Sequence, residues 1–541
     1  MTLLCEPRSS RLSSFELPLS YLERESLQDR NQKPDLIAQR YAKLEQIQQL
    51  GHAAYPHSYN FTHTLEQIHD SYQSRSKEQL EAERIEVRVC GRLVAMRGQG
   101  KAGFSNISSG SHRVQIYTRL DEVGEANFAL YQLLDIGDFI GVTGYLFRTK
   151  TNELSVHAQK IDFLAKSFLP LPEKWHGLSD VEIRYRQRYL DLISNQESRQ
   201  VFVTRSRIIK GIRDFLDERG YIEVETPMMQ PLAGGATARP FKTHHNALGM
   251  DLFLRIAPEL YLKRLIVGQL ERVYEINRNF RNEGISTHHN PEFTMLEFYQ
   301  SYSDYRDLMD LTEELIKQLA QNVLGKIEFE FEGQTISLAN WRRYSLKEAI
   351  VSFWPADCLP TPELSDLENP ASLPSLARRW NDYASLKSLE TVPLSLDIAQ
   401  GVLLGLLFEA VAERRLIQPT TIYDYPIELS PLSKTKASDP SLVERFELYM
   451  GGMEIANAYS ELNDPEEQKR RFESQMAERE KGDEEAHAMD DDYVRALRYG
   501  MPPTAGEGIG IDRLTMLFTN SRSIRDVILF PHMRPEKRDA S

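Results

Sequence analysis

A short polar segment of this chain, RNFRNEGISTHHNPEF, brings cations, carboxylates and imidazoles together around a glycine and a proline. Its charged and titratable members are Arg278, Arg281, Glu283, His288, His289 and Glu292. The sequences that overlap its two ends, ERVYEINRNF and PEFTMLEFYQ, have the composition and alternation of strands. The polar segment is therefore predicted to be a loop between two strands, and the question is which chemistry needs such a loop.

The strand after this loop is predicted to carry a polar face. Side chains alternate along a strand, so one face of PEFTMLEFYQ presents Phe293, Met295, Glu297 and Tyr299. A row that faces a core would be apolar throughout, whereas a carboxylate and a phenol in the row favour a polar site. The alternative interpretation is a half-exposed hairpin that carries no site.

A second hairpin is predicted in FELYMGGMEIANAYSEL, because its Gly-Gly pair is typical of a two-residue turn. Such a turn pairs Met450 with Met453, places Glu447 opposite Ala456, and puts Glu447 on the same face as Glu454. Two adjacent carboxylates repel each other, and a Mg²⁺ ion that bridges them to a phosphate would relieve the repulsion. The alternative is a pair of solvated glutamates on an exposed strand edge.

A third segment, GEGIGIDRLTML, alternates glycine with larger residues. Its glycines are Gly506, Gly508 and Gly510. One face of such a strand is bare backbone, so a flat ring could lie against it, although tight packing of the strand explains the glycines nearly as well. Asp512 is predicted to cap the following helix, with Arg513 in its first turn. Ile511 stands where the dinucleotide-binding fingerprint needs its third glycine, which excludes that motif.

The elements that position these segments follow from hydrophobic periodicity. Helices are predicted over residues 35–51, over about 201–219, and in SDYRDLMDLTEELIKQLAQNVLG, where Gly325 ends the helix. The apolar stripe of the last helix is Leu308, Leu311, Leu315, Leu319 and Val323. RIAPELYLK is predicted to begin a helix near Glu259, because proline and acidic residues are favoured in a first turn.

The region from about residue 85 to 165 changes to the period of strands. Four or five short strands, separated by turns that contain Gly, Asn and Asp, predict a small antiparallel barrel, for which an OB-fold is the first choice. Another small β-barrel or a sandwich remains open on the pattern alone. The proline-rich FLPLPEKWHGLSD then predicts a linker.

Composition narrows the class of protein. The chain has 541 residues, a formal net charge of −14, and no apolar run near the ~20 residues that a membrane-spanning helix needs. Its three cysteines, Cys5, Cys90 and Cys358, lack the spacing of a metal site, which fits the reducing cytoplasm. The net charge does not exclude nucleic acid, because a local basic surface governs phosphate binding and residues 184–214 offer one.

Together these segments resemble the class II aminoacyl-tRNA synthetases, and among them the bacterial-type lysyl-tRNA synthetases. GIRDFLDERGYIEVETP is similar to motif 1 of that class, RNFRNEGISTHHNPEF to motif 2 and GEGIGIDRL to motif 3. The resemblance covers roughly residues 35–345 and 415–531. It implies a multidomain α+β protein, with an OB-fold anticodon-binding barrel followed by a catalytic antiparallel sheet flanked by helices.

The domain organisation that follows from periodicity and resemblance has five parts. They are an N-terminal extension (1–30), a helical segment (31–84), the OB-fold domain (85–165), a linker (166–190) and the class II catalytic domain (191–541) with a less regular insertion at about 350–410. The resemblance also implies a homodimer, with Pro227 and the motif 1 helix at the interface.

The resemblance assigns the residues of the polar loop to ATP and to catalysis. Arg281 and Arg513 are the implied catalytic residues, and the implied ATP ligands are Arg281, Glu283, His289, Phe293, Gly510 and Arg513. Glu447 and Glu454 are the implied ligands of Mg²⁺. Arg281 would neutralise the repulsion between the carboxylate of the amino acid and the α-phosphate of ATP. The attacking carboxylate is already ionised, so no general base is expected.

The resemblance likewise assigns residues to lysine and tRNA. The implied lysine ligands are Gly235, Glu259, Glu297, Tyr299, Asn457 and Glu461, of which Glu297, Tyr299 and Glu461 would meet the ε-ammonium group. The implied anticodon residues on the barrel are Arg92, Phe104 and Gln115. The chain departs from the family pattern at His288 and Met453, where many or some relatives have arginine. Loss of either arginine is expected to weaken phosphate binding, but neither change removes a ligand of the pocket.

The expected activity is lysine–tRNA ligase, with L-lysine, ATP and tRNA(Lys) as substrates. Three alternatives are weighed against it. An aspartyl or asparaginyl enzyme would need cations or amides where Glu297 and Glu461 stand. A noncatalytic RNA-binding protein would not need Arg281, Glu447 and Arg513 together. A paralogue that lysylates protein is expected to lack the barrel.

Overall fold

The structure is a computed structural model that describes residues 33–172, 178–236, 238–394, 398–480 and 488–535. The predicted N-terminal extension, Cys5 and the middle of the predicted linker lie outside the described residues. The chain forms two compact units that divide between residues 177 and 178. Each unit has a hydrophobic core of its own.

The N-terminal unit combines a barrel with short helices. Its helices are α1 (Lys33–Gln49), α2 (Leu65–Tyr72), α3 (Lys77–Glu83) and α4 (Leu120–Leu133), and its strands are β1 (Glu86–Gln99), β2 (Ala102–Ser109), β3 (His112–Arg119), β4 (Phe139–Arg148) and β5 (Leu154–Ala165). The five strands close in the order β1-β2-β3-β5-β4, and the prediction of an OB-type barrel of four or five strands is confirmed. Every pairing is antiparallel except that of β3 with β5.

The C-terminal unit contains the remaining elements. Its helices are α5 (Val181–Arg186), α6 (Arg188–Ser194), α7 (Gln196–Asp217), α8 (Glu259–Val267), α9 (Tyr305–Leu324), α10 (Leu346–Phe353), α11 (Leu364–Glu368), α12 (Leu373–Lys387), α13 (Gln400–Val411), α14 (Pro465–Glu480), α15 (Asp491–Leu497), α16 (Ile511–Thr519) and α17 (Ile524–Val527). Its strands are β6 (Ile222–Glu223), β7 (Met229–Gln230), β8 (Lys242–His245), β9 (Met250–Leu254), β10 (Arg272–Phe280), β11 (Glu292–Ser301), β12 (Glu328–Phe331), β13 (Gln334–Ser337), β14 (Arg342–Ser345), β15 (Thr420–Pro426), β16 (Leu442–Met450), β17 (Met453–Ser460) and β18 (Thr504–Gly510).

An eight-stranded sheet organises this unit, in the order β14-β15-β16-β17-β18-β11-β10-β6. The six central strands are antiparallel, and only the two edge strands run parallel to their neighbours. The sequence prediction of an antiparallel sheet flanked by helices is therefore confirmed. Hairpins β10–β11 and β16–β17 are the two that the sequence predicted.

The main core lies between this sheet and helices α7, α9 and α16. Helix α9 buries Leu308, Leu315 and Leu319 from its predicted stripe, and it ends at Gly325, whose positive φ satisfies the helix terminus. In the described part of the chain, no helix combines the length and apolar character needed to cross a membrane.

The segment from 350 to 410 is more regular than the sequence indicated. Helix α13 packs against both α10 and α12, and the buried indoles of Trp354 and Trp380 lie in the same core. Prolines misled the prediction: Pro370 and Pro374 lie in the first turns of a 3₁₀ helix and of α12, where a missing N–H does no harm.

Candidate active site

A cavity of about 360 Å³ lies in the C-terminal unit, on the sheet face formed by β11, β17 and β18. It is lined by Gly235, Glu259, Arg281, Glu283, His289, Phe293, Glu297, Tyr299, Glu454, Asn457, Gly510 and Arg513, all singled out by the sequence. Glu447 and Glu461 are buried beside it. The fold therefore brings together, in one unit, residues that are more than 200 positions apart in the chain.

The glycines of β18 make room for the side chains of its neighbours. Tyr299 of β11 pairs with Gly506, and a β-carbon there would lie 2.3 Å from Cε1 of Tyr299 and 2.4 Å from Oε1 of Glu461. A β-carbon on Gly508 would also meet a side chain, at 2.8 Å, whereas one on Gly510 would meet nothing closer than 3.7 Å. Packing thus explains the first two glycines, and Gly510 alone leaves backbone open to a ligand.

The hairpin of β16 and β17 has the predicted turn but a different register. Met450 pairs with Met453 as predicted, but the expected pairing of Glu447 with Ala456 is wrong, because Glu447 pairs with Asn457. A β-bulge near the turn adds one residue to β17 and shifts everything beyond it. A shift by one residue exchanges the two faces of a strand, so the bulge turns Asn457 toward the cavity.

The carboxylate of Glu447 is held by four donors. Its Oε2 accepts from the hydroxyls of Tyr425 at 2.8 Å and Tyr449 at 2.5 Å. Its Oε1 forms an ion pair with Arg445 and lies 3.2 Å from Nδ2 of Asn457. These contacts fix the position of a buried charge, and burial is tolerated because the charge is paired.

Glu454 adds negative charge close to Glu447. Burial and the charge of Glu447 raise the pKa of Glu454, while Arg513 lowers it again through an ion pair at 3.4 Å. Burial and the same carboxylates raise the pKa of Glu409, and burial together with Glu409 and Glu454 raises that of Glu413 to about 7. Negative charge at this end of the site therefore exceeds what its own arginines compensate.

Two arginines, Arg281 and Arg513, line the cavity close to these carboxylates. The guanidinium carbon of Arg281 lies 5.0 Å from the ring centroid of Phe293, so the ring supports the cation from one side. Within the described residues, the buried Nε of Arg281 has no hydrogen-bond partner. Arg513 reaches Nε2 of His289 at 3.4 Å and the main-chain oxygen of Glu454 at 2.6 Å. The carboxylate of Glu283 is also at the rim, on an exposed loop.

The far end of the cavity contains a buried network of carboxylates. Glu259 begins α8 as predicted, and its Oε1 accepts from Nζ of Lys263 at 2.5 Å and from the hydroxyl of Tyr459 at 2.5 Å. Lys263 also forms an ion pair with Glu461. Glu461 has no other ion pair among the described residues, and it is 1 % exposed.

Glu297 and Tyr299 form the floor at this end. The hydroxyl of Tyr299 lies 3.4 Å from Oε2 of Glu297, and both side chains are buried. Burial, together with the charges of Glu259 and Glu275, raises the pKa of Glu297 to about 8. A carboxyl group in this state lacks counter-charge, so a cation that enters the cavity would favour its ionised form.

Gly235 closes the cavity over Glu259. Its φ of +88° is a conformation that other residues avoid, and a β-carbon there would lie 3.1 Å from Cβ of Glu259. The glycine thus lets the backbone pass close to the carboxylate.

The predicted capping role of Asp512 is wrong. Helix α16 has Gly510 at its N-cap, and Asp512 lies within the first turn, where Arg513 was also expected. Oδ2 of Asp512 accepts from the main-chain N–H of Thr294 at 2.7 Å, and its other oxygen pairs with Arg205 of α7 at 2.5 Å. The residue therefore ties three elements together instead of capping one.

The two departures from the family pattern have different surroundings. Met453 is buried in the main core and does not line the cavity. Its side chain is therefore not in a position to affect phosphate binding directly. His288 does line the cavity, and its main-chain N–H donates to the hydroxyl of Ser286 at 3.1 Å. Burial and the charge of Arg513 lower the pKa of His288, which keeps the imidazole neutral.

Sequence reasoning passed over three residues of this site. Lys263 and Tyr459 hold Glu259, and Arg445 holds Glu447. Signals existed for two of them: Lys263 follows Glu259 by four residues on a predicted helix, and Arg445 precedes Glu447 by two on a predicted strand.

The predicted anticodon residues share the outer face of the barrel. Phe104 is 38 % exposed and stacks on Tyr117 of β3, with ring centroids 4.6 Å apart. Gln115 donates to Glu153 at 2.9 Å, and Arg92 lies over the ring of Phe139 at 4.3 Å. An exposed aromatic ring between polar side chains is the usual platform for an unpaired base.

Pro227 is exposed on the C-terminal unit, beside several apolar side chains that a single chain leaves uncovered. These are Ile222, Met228, Met229 and Leu232, each more than 40 % exposed. Large apolar residues that cluster on a surface are typical of an interface with another protein.

This arrangement, a barrel followed by an antiparallel sheet with a cavity between charged side chains, agrees with two protein families. Residues 180–534 match the family of class II tRNA synthetases for D, K and N, and residues 87–164 match the family of OB-fold nucleic-acid-binding domains. The first match covers well over half of the chain, so the protein is a member of the class II tRNA synthetases.

Similarity to individual proteins indicates which members of this class the chain belongs with. The chain is 52 % identical to a lysine–tRNA ligase of Carboxydothermus hydrogenoformans over 93 % of its own length and 98 % of the relative. It is also 52 % identical to a lysine–tRNA ligase of Moorella thermoacetica, over 93 % and 98 %, and 50 % identical to one of Halalkalibacterium halodurans, over 94 % and 98 %. Within its class, the chain therefore belongs to the lysine–tRNA ligase family.

Proposed function

We propose that this protein joins L-lysine to tRNA(Lys) in two steps, through a lysyl-adenylate. The observation that carries the proposal is the polarity of the cavity. Three buried carboxylates, Glu259, Glu297 and Glu461, lie at one end, and the half-buried cation of Arg281 also lines the cavity. An α-amino acid with a second ammonium group has the matching distribution of charge.

In the first step, a carboxylate oxygen of lysine attacks the α-phosphorus of ATP and the bond to pyrophosphate breaks. Both reactants are anionic, so the barrier falls if a cation contacts the carboxylate and the phosphate together. We assign this role to Arg281, and two observations support it: Phe293 supports one side of its guanidinium, and its Nε has no protein partner among the described residues. The role of the remaining residues is to hold the reactants in line.

Phe293, Gly510 and Arg513 are proposed to enclose the adenine and the outer phosphates. Gly510 leaves open backbone against which the flat ring can lie, and Phe293 offers the opposing aromatic face. His289 and Glu283 line the rim of the same cavity. Arg513 contacts His289 and Glu454, and these contacts hold its guanidinium at the lining of the cavity, which supports its proposed contact with the γ-phosphate.

Glu447 and Glu454 are proposed to hold Mg²⁺ together with the phosphates. Among the described residues, no three His, Cys, Asp or Glu side chains form a metal cage, but Mg²⁺ in nucleotide sites uses one or two carboxylates, phosphates and water. The raised pKa of Glu454 beside Glu447 fits a site that lacks positive charge. When bound, Mg²⁺ would screen the triphosphate and stabilise the departing pyrophosphate.

We propose that the cavity recognises lysine through both of its ammonium groups and its carboxylate. Glu297, Tyr299 and Glu461 would meet the ε-ammonium group, and Glu259 with the main chain of Gly235 the α-ammonium group, while Asn457 would donate to the carboxylate. A buried site built to pair polar groups strongly rejects a substrate that leaves them unpaired. Ornithine is the hardest competitor, because it keeps both ammonium groups and is shorter by one methylene.

In the second step, a hydroxyl of the 3′-terminal adenosine of tRNA attacks the lysyl carbonyl and AMP leaves. Phe104, Gln115 and Arg92 on the barrel are proposed to read the anticodon, Phe104 by stacking on a base and the other two by hydrogen bonds to base edges. We further propose a homodimer that covers Pro227 and the apolar residues beside it, and the cytoplasm as the working compartment.

The test is ATP–pyrophosphate exchange with each of the twenty amino acids and with ornithine, without tRNA. Exchange with lysine alone is the expected result, with ornithine far weaker. Exchange with aspartate or asparagine would refute the assignment of Glu297 and Glu461. No exchange with any amino acid would refute the proposed enzymatic activity and favour the alternative of a noncatalytic RNA-binding protein.

A further inference from the structure

The lysine end of the cavity contains a cation of its own. Lys263 is fully buried, and its Nζ lies 2.5 Å from Oε1 of Glu259 and pairs with Glu461. It also lies 5.3 Å from the ring centroid of Tyr459. No role in the proposed reaction uses this residue, because it does not line the cavity that the substrates would enter.

The charges at this end follow a simple count. Glu259, Glu297 and Glu461 supply three carboxylates, and Lys263 supplies one ammonium group. Two negative charges therefore lack a partner when all four groups are ionised. Lysine brings two ammonium groups, so the occupied pocket is electrically balanced, whereas an amino acid with only one ammonium group leaves one buried carboxylate unpaired.

We propose that Lys263 is a positioning and specificity-determining residue that sets the net charge of the lysine pocket at two negative charges, and so adapts it to an amino acid with two ammonium groups. This inference rests on the proposed function. Lys263 does this without lining the cavity, by pairing with the carboxylates of both Glu259 and Glu461 and fixing their positions. The bridge joins α8 to the residue that follows β17, and both elements contribute residues to the lining of the cavity.

Among the described residues, the titratable groups with the largest effect on Lys263 belong to this network. Glu259 comes from its own helix, Tyr459 and Glu461 from the β17 segment, and Tyr493 from α15. Arg264, the neighbouring cation, turns away to Asp490, at 2.8 Å. Burial by itself lowers the pKa of Lys263, but the carboxylates of Glu259 and Glu461 outweigh it and raise the pKa, so the residue stays charged throughout the working range of pH.

Removal of the charge of Lys263 should change the pH dependence of kcat/KM for lysine in a predictable direction. Burial raises the pKa of Glu461, and the charge of Lys263 opposes that rise. Without Lys263, the pKa of Glu461 rises further, because a nearby cation favours the ionised form of a carboxylate. Lysine binds to the ionised carboxylates, so kcat/KM for lysine falls as the pH is lowered and they are protonated. This fall, the acid limb of the pH profile, therefore moves to higher pH in the variant. A merely structural role of Lys263 in tying α8 to β17 would reduce stability or kcat but would leave the acid limb where it is.

The experiment measures ATP–pyrophosphate exchange by the full-length protein and by the variants Lys263→Met and Lys263→Arg, over a range of pH. In Lys263→Met we expect the KM for lysine to rise roughly 100-fold, the acid limb to move up by about one pH unit, and the KM for ATP to stay within about twofold. Lys263→Arg keeps the charge, so its acid limb should coincide with that of the unmodified protein.

Lys166→Met is the matched control. Lys166 is also fully buried, and its Nζ lies 2.6 Å from Asp135 and 2.8 Å from Asp138 in the N-terminal unit. The same loss of a buried ammonium group between two carboxylates should lower the thermal stability of the barrel and leave the KM for lysine and the acid limb unchanged.

Three results would overturn the inference: an unchanged acid limb in folded Lys263→Met, an equal rise in the KM values for lysine and ATP, or a displaced acid limb in Lys263→Arg. If Lys263→Met does not fold, Lys263→Gln takes its place, because glutamine can still donate a hydrogen bond but carries no charge; its acid limb must move to higher pH for the inference to stand. The unmodified protein separates this inference from the proposed function, because exchange with lysine establishes that function whatever the variants do.

Discussion

Replacement of Gly506 by alanine places a methyl group where two side chains of the proposed lysine pocket already lie. Its β-carbon would be 2.3 Å from Cε1 of Tyr299 and 2.4 Å from Oε1 of Glu461. The φ of this glycine is not in the left-handed region, so the backbone accepts alanine and the effect comes from the side chains alone. Ordinary contacts of this kind are 3.4–4 Å, so both groups must move by about 1 Å or more.

The expected magnitude follows from this displacement. A misplacement of about 1 Å in a group that positions a substrate costs roughly 100-fold in rate. That factor corresponds to about 2.7 kcal/mol of lost transition-state stabilisation. Added strain in a packed site costs a further ~1–3 kcal/mol of folding stability. The loss should appear in the KM for lysine, because Tyr299 and Glu461 are proposed to contact lysine and not ATP.

The assay is ATP–pyrophosphate exchange at varied lysine and at varied ATP, with thermal unfolding followed in parallel. Gly510→Ala is the matched comparison, since it changes a glycine of the same strand where a β-carbon meets nothing closer than 3.7 Å. We expect Gly510→Ala to keep the KM for lysine within about threefold and to act only on ATP. A KM for lysine in Gly506→Ala equal to that of Gly510→Ala would refute the assignment of this end of the cavity to lysine.

Three further predictions concern single residues. Arg281→Ala should abolish exchange while circular dichroism and the unfolding temperature stay near their original values; near-normal exchange would remove Arg281 from the reaction. Phe104→Ala should raise the KM for tRNA at least about tenfold and leave exchange unchanged, because loss of one stacking ring costs ~1–3 kcal/mol per base; equal loss in both assays would move Phe104 away from the anticodon. Burial and the charges of Glu259 and Glu275 raise the pKa of Glu297 from 4.5 to about 8, so lysine, which favours the ionised form, should bind more tightly as pH rises toward 8. Without lysine the same shift makes the folded state bind the extra proton, so stability should fall between about pH 4.5 and 8, and calorimetry of Glu297→Gln should show a smaller fall. A pH dependence identical to that of the unmodified protein would contradict the role of Glu297.

Several features of the fold could be predicted from local pattern. Strand periodicity and turn residues predicted a small barrel of four or five strands, and a glycine pair predicted the turn between Met450 and Met453. Helix α9 has its predicted end at Gly325 because a helix terminus is decided by the residues at that terminus. These are properties of neighbours in the chain, which the sequence specifies directly.

The candidate site was predictable only in part. Alternation correctly placed Glu297 and Tyr299 on one face, but it gave the wrong partner for Glu447, because a bulge is an insertion that periodicity does not register. The capping role assigned to Asp512 failed for a different reason. Its carboxylate finds stronger partners, Arg205 and the N–H of Thr294, that are distant in the chain.

What the sequence by itself determined is the inventory of groups and the local elements that carry them: a barrel with an exposed Phe104, a polar loop with Arg281, and strands with carboxylates at alternate positions. Tertiary structure alone decided which charges meet. Lys263 lies nearly 200 residues from Glu461, and their ion pair forms because packing of α8 against the sheet buries both, and a buried charge is stable only beside an opposite one.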